Sequence, residues 1–165
     1  MNTLHQKPPH FLFWRSLFFT VLQPGMVAGI IPWWIAGHHT STIQLSSFNA
    51  VQLAGLLLLL AGIVVTVHCI IRFAVDGRGT LSPVDPTKKL VIAGLYKYSR
   101  NPMYIGVMLM LTGECMIAPV SGLIIYTTAI FTGFNLFIVF YEEPRLLKDF
   151  GDSYAQYCKK VRRWL

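Results

Sequence analysis

Arg100-Asn101-Pro102-Met103-Tyr104-Ile105-Gly106 and Tyr141-Glu142-Glu143-Pro144 are two short polar islands on either side of a long apolar stretch. Their reading decides the fold. Between them, 107–140 carry one charged side chain, Glu114. Such a stretch can cross a bilayer and return, because a helix satisfies its own backbone groups in lipid. Both islands then meet at one membrane surface. A cation, an amide, a phenol and two carboxylates converge there in a small volume.

The composition agrees. The chain has 165 residues, 54% hydrophobic and 13% charged, whereas soluble domains carry roughly 25% charged residues. The length suits one compact unit with no appended soluble domain, internal repeat or low-complexity linker. A net charge of +7 raises the question of nucleic acid. The positive residues cluster beside hydrophobic spans instead, which is a membrane pattern. Cys69, Cys115 and Cys158 show neither CxxC nor metal spacing, so no disulfide framework is expected. The hydrophobic run after the polar residues 1–10 is too long and too poorly terminated for a cleavable signal peptide.

A spanning helix needs about 20 apolar residues. The sequence predicts an all-α integral membrane bundle of about four spans: 14–36, 51–73, 103–118 and 123–141. Pro24-Gly25 and Pro32 predict a kink in the first. The turn at 119–122 predicts an antiparallel hairpin of the third and fourth. The stretch from Arg72, at the end of the second span, to Arg100 holds Arg72, Arg78, Lys88, Lys89, Lys97 and Arg100. The tail, 142–165, holds Arg145, Lys148, Lys159, Lys160, Arg162 and Arg163, while 37–50 have no Lys or Arg. The positive-inside rule then puts both termini and the 74–100 loop in the cytoplasm. The compact chain suggests a bacterial or archaeal cell membrane.

Leu146, Phe150, Tyr154, Tyr157, Val161 and Trp164 recur at helical spacing. With basic residues elsewhere on the wheel, they predict an interfacial amphipathic C-terminal helix. Gly151 interrupts the pattern, and a basic solvated tail is the alternative.

Asn101 is a preferred N-cap residue and Pro102 suits the first helical turn. A span starting there leaves free N–H groups, a natural anion site, to which Arg100 adds a second contact. Tyr104 lies one turn in, where tyrosines also serve as interfacial anchors. Glu142 and Glu143 at a helix C-terminus oppose the macrodipole. They are either a solvated helix end or groups that bind a diol or an ammonium. Asn135, seven residues before Glu142, falls on nearly the same helical face. Glu114, inside a span, reads as structural or substrate-lining. His68 reads as a packing residue or a functional one. His38-His39 lack further ligands, so no metal is expected. Gly77-Arg78-Gly79-Thr80 has no GxGxxG or βαβ context and reads as a flexible loop able to fold over a ligand. Gly25 and Gly29 give a GxxxG spacing compatible with close helix packing.

From Gly77 onward the chain resembles the isoprenylcysteine carboxyl methyltransferase family, within a wider group that includes the phospholipid N-methyltransferases. The matching segments are Gly77-Arg78-Gly79-Thr80 with Pro83 and Asp85-Pro86, then Leu90-Val91 through Gly94-Leu95-Tyr96. Arg100 to Gly106, Glu142-Glu143, and Phe150-Gly151 with Tyr154, Tyr157 and Val161 follow in order. The resemblance implies S-adenosylmethionine held at the cytoplasmic side without a Rossmann domain. Carried onto this sequence, the cofactor-binding set is Leu90, Val91, Tyr96, Arg100, Asn101, Pro102, Met103, Tyr104, Gly106, Glu142 and Glu143. Many relatives have His where this chain has Asn101. Asn keeps the hydrogen bonding but cannot titrate near neutral pH. Arg145 and Tyr104 are the candidate catalytic residues, Arg145 to orient an anionic acceptor.

The expectation is therefore methyl transfer to a lipid-like or isoprenylated acceptor in the bilayer, foremost a carboxylate, which needs no general base. An ammonium acceptor would have to lose a proton first. The rivals are a phospholipid N-methyltransferase, an NADPH-dependent reductase of the sterol-reductase type, and a non-enzymatic membrane scaffold. The acceptor's identity and the oligomeric state stay open.

Overall fold

The computed structural model describes residues 24–37, 49–76 and 90–165. Among them every regular element is helical, apart from one isolated β-bridge between Ser99 and Arg162. Helix α1 is Met26–Gly37, α2 is Ala50–Asp76, α3 is Pro102–Ile117 and α4 is Ser121–Phe137. A π-helical turn, Ile138–Glu142, joins α4 without a break to α5, Glu143–Phe150. After Gly151 comes α6, Asp152–Lys160. The predicted second span corresponds to α2, the third to α3.

Helix α2 opens on a capping box. Gln52 N–H donates to Asn49 Oδ1 (2.9 Å) and Asn49 N–H to Gln52 Oε1 (3.1 Å). Leu53, Leu57, Leu60, Val64, Val67 and Ile71 follow at alternating spacings of four and three, and all are exposed. An apolar stripe of that length does not face water in a soluble monomer. It faces lipid.

The opposite face of α2 packs antiparallel on α3, far more extensively than α3 packs on α4. The seam is made of glycines. A Cβ on Gly62 would stand 2.6 Å from the Gly106 carbonyl, and one on Gly55 2.8 Å from that of Gly113. Two turns separate the members of each helix's pair, so both close approaches lie on one face. Without hydrophobic drive between helices in lipid, such small residues are what let backbones meet. Gly25 and Gly29, whose spacing had suggested close packing, have nothing within 4 Å.

The four predicted spans are seen in part. Among the described residues two helices are long and apolar enough to cross a membrane, Ala50–Arg72 and Ser121–Phe150. Helix α3 has 16 residues, a rise of about 24 Å against a hydrocarbon core of about 30 Å. Of the predicted first span the structure describes the later part, helical from Pro24 onward; 14–23 lie outside the described residues, as do His38-His39 and 77–89, which hold 77–80, Pro83 and Asp85-Pro86. The fourth span does not end at Tyr141. Its helix runs on through both glutamates.

Prolines explain the two π turns. Pro32 lacks the N–H that would bond to the Ala28 carbonyl, and its ring crowds that carbonyl. Ala28 is accordingly non-helical (φ −115°, ψ 25°), and the Ile31 N–H reaches back five residues to Met26. This releases the Val27 carbonyl, which accepts the Tyr126 hydroxyl at 2.9 Å and ties α1 to α4. Pro144 stands in the same relation to Phe140, and the Glu143 N–H reaches back to Ile138. The added residue rotates the glutamates relative to α4. Asn135 accepts from Trp164 and Glu142 from Tyr104.

The tail is not one amphipathic helix. Gly151 at φ +52° breaks it into α5 and α6, a backbone conformation that favours glycine. After Lys160 the chain turns extended and folds back beside Ser99.

Candidate functional site

The two polar islands meet. Pro102 sits in the first turn of α3 and Asn101 at its N-cap, as the sequence predicts, but the Asn101 side chain does not cap the helix. Its Nδ2 donates instead to the Arg163 carbonyl at 2.9 Å. Among the described residues the N–H groups of the first turn of α3 therefore have no side-chain cap, which leaves the helix end positive. One turn in, the Tyr104 hydroxyl donates to Glu142 Oε2 at 2.9 Å. Its ring packs on Phe134 with centroids 4.6 Å apart.

Glu143 faces elsewhere. Arg163 grips it with two parallel bonds, Nε to Oε1 and Nη2 to Oε2, each 2.9 Å. Arg100 Nη1 adds a contact to Oε1 at 3.0 Å and donates to Cys158 Sγ at 2.9 Å. Arg100 Nε is buried without a partner among the described residues. The neighbouring carboxylates thus differ in environment. Glu142 holds one phenol, while Glu143 is held between two guanidiniums.

Behind this layer lies a small packed base. Val91, Tyr96 and the buried Cys69 form one cluster, against which Met103 and Leu95 pack. Leu90 is half-buried. Gly94 takes φ +63°, and a Cβ there would lie 2.7 Å from His68 Nε2. The Tyr157 hydroxyl donates to the Tyr96 carbonyl at 2.6 Å. Burial pushes the Tyr157 phenol up to about 12. Burial, then Cys69 and Glu142 beside it, raise Tyr96 well above the ordinary tyrosine value. The field of Glu142 thus reaches Tyr96 as well as Tyr104.

The remaining candidates sit further out. Gly106 lies in the α2–α3 seam, where a Cβ would collide with Thr66 Oγ1. Arg145 pairs with Asp149 one turn along α5 at 3.6 Å, and its charge also acts on Glu142. Glu114 is far along α3 from Tyr104, half-buried, with Oε2 unpartnered among the described residues.

Several contributors were not singled out from sequence: Ser99, Cys158, Arg163 and Trp164. The Arg163 carbonyl accepts both Ser99 Oγ (3.2 Å) and Asn101 Nδ2. Trp164 Nε1 donates to Asn135 Oδ1 at 3.2 Å. Arg162 and Arg163 had counted only as cytoplasmic charge. The usable signal was Gly151, which interrupts the helical spacing of the tail.

No curated protein and no solved structure matches the chain. A family model described as phospholipid methyltransferase matches residues 51–153, from the start of α2 into α6. That stretch contains Tyr104, Glu142 and Glu143 and covers more than half the sequence, so the chain belongs to the phospholipid methyltransferase family.

Proposed function

We propose that this protein transfers a methyl group from S-adenosylmethionine to a lipid-like or isoprenylated acceptor in the membrane, at the junction of α3 and α5. The observation that carries the reading is the Tyr104–Glu142 hydrogen bond, 2.9 Å across the two polar islands. It fixes a carboxylate beside an uncapped helix N-terminus.

The residues present fit the donor. S-adenosylmethionine carries an ammonium, a carboxylate and a ribose diol, and when bound it supplies a methyl on an electrophilic sulfonium. Glu142 offers an acceptor for the ammonium or the diol. The N–H groups of Met103 and Tyr104, uncapped among the described residues, suit the carboxylate, and Arg100 Nε, without a partner among them, offers a further donor. Val91, Tyr96 and Met103 give this volume an apolar floor. The chain's contribution to rate is then orientation and exclusion of water, an effect worth several kcal/mol in favourable cases, roughly 7–11.

For the acceptor, a carboxylate is the finer proposal. It is already a nucleophile, and Arg145, whose charge acts on Glu142, is the residue proposed to orient an anion there. The family match favours a second reading, N-methylation of an amine headgroup, in which a carboxylate such as Glu142 takes the proton. The lipid-facing stripe of α2 supports entry from the bilayer in either case. The purified protein should be given methyl-labelled S-adenosylmethionine with a prenylated carboxylate or an aminophospholipid. Label in the first supports O-methylation, and label in the second supports N-methylation. Label in neither, with turnover of NADPH instead, would remove the proposal.

A further inference from the structure

We propose that the C-terminal strand, through Arg163 and Trp164, is a clasp that positions Arg100 and the Glu142–Glu143 pair. The inference deepens the site reading above and rests on it where binding is concerned. Both residues lie beyond residue 153, where the family match ends.

The clasp is built from contacts on three elements. The Arg163 guanidinium forks onto Glu143 of α5, with both bonds at 2.9 Å. Its carbonyl takes Ser99 Oγ and Asn101 Nδ2, just before α3. The preceding carbonyl, Arg162, takes the Arg100 N–H at 2.9 Å. Trp164 then reaches α4, with Nε1 on Asn135 and its ring 5.6 Å from that of Phe131. One short strand therefore ties the segment before α3 to the end of the α4–α5 helix. Those are the two elements whose separation sets the Tyr104–Glu142 contact.

Isolated surface ion pairs contribute little, because two long side chains lose freedom in high dielectric. This pair differs in three ways. It is bidentate, it shares Glu143 with Arg100, and the Glu143 side chain is only 20% exposed. Without Arg163, Glu143 would keep one cation, and Arg100 would be drawn towards it. That motion would loosen the bond from Arg100 Nη1 to Cys158. Arg163 is thus a positioning residue. It touches Glu143 and acts through it.

The test uses the full chain in detergent. Maleimide labelling at Cys158, read by peptide mass, reports the Arg100–Cys158 contact without any ligand. Labelling is measured well below the melting temperature for Arg163→Gln, Arg163→Lys, Trp164→Phe, Glu143→Gln and the Arg163→Gln/Glu143→Gln double variant. S-adenosylhomocysteine affinity is measured on the same set. We expect Arg163→Gln to speed labelling and weaken affinity by about tenfold each, with the double variant no worse than either single. Arg163→Lys should restore part of both. Unchanged labelling in Arg163→Gln, or effects that add in the double variant, would overturn the clasp, as would altered labelling with unaltered affinity. If the wild type itself binds no S-adenosylhomocysteine, so that affinity cannot be compared, faster labelling in Arg163→Gln would uphold the clasp and reject the methyltransferase reading.

Discussion

Tyr104 and Glu142 are 38 positions apart in sequence, yet the phenol donates to the carboxylate at 2.9 Å. One residue opens α3, and the other ends the π turn that Pro144 forces on α4. Their contact closes the site. Tyr104→Phe leaves a part-buried carboxylate oxygen without its donor, at a cost of about 1–3 kcal/mol. Thermal unfolding in detergent should register the loss. S-adenosylhomocysteine affinity should fall by roughly tenfold as the carboxylate loses its orientation.

Glu143 should behave differently from Arg145. Glu143→Ala strips Arg100 and Arg163 of a shared, largely buried partner, and should destabilise by about 3 kcal/mol. Arg145 sits 3.6 Å from Asp149, with its side chain 30% exposed. Its alanine variant should cost under about 0.5 kcal/mol of stability. An effect of Arg145→Ala on turnover, with melting unchanged, would mark it as an acceptor contact.

The glycine seam makes a sharp packing prediction. Gly62→Ala sets a methyl 2.6 Å from a backbone carbonyl that cannot give way easily. Forcing the helices apart should cost about 1–3 kcal/mol. Gly133→Ala on α4 is the control, since nothing lies within 4 Å of it. There, helix propensity should leave stability unchanged or raised by up to about 1 kcal/mol. Melting curves of the two variants side by side decide the matter.

The tyrosine base predicts alkaline sensitivity. Tyr157 is raised from 10.0 to about 12 by burial, so folding favours its neutral form. A raised pKa in the folded state contributes stability in full below pH 10, lost as pH climbs towards 12. Tyr96, also raised, acts in the same direction. Stability should be flat from neutral pH to about 9 in this respect and fall over the next units. Tyr157→Phe should flatten that limb in pH-dependent melting.

What was legible in sequence follows physical range. The meeting of Arg100–Gly106 with Glu142-Glu143 was legible, because a turn at 119–122 between two apolar helices leaves little choice. Helix α2 was legible from continuous hydropathy alone. The seam at Gly55, Gly62, Gly106 and Gly113 was not, since a glycine shows its neighbour only when two helices are docked. Gly25 and Gly29 carried the familiar spacing and pack on nothing described. The phase shift at Ile138–Glu142 was hidden because proline predicts a disturbance but not whether it becomes a kink or a π turn. The tail misled for a related reason: helical spacing from Leu146 to Trp164 persisted across Gly151, while the positive φ there redirected the chain.

The central claim is that Glu142, held by Tyr104, forms part of a donor site. Calorimetric titration of S-adenosylhomocysteine into the detergent-purified protein, with Glu142→Gln alongside, tests it most directly. The account predicts micromolar binding by the wild type, and at least about a hundredfold weaker binding by a variant that still melts cooperatively. Equal affinity in the two proteins, or no binding by folded wild type, would contradict it.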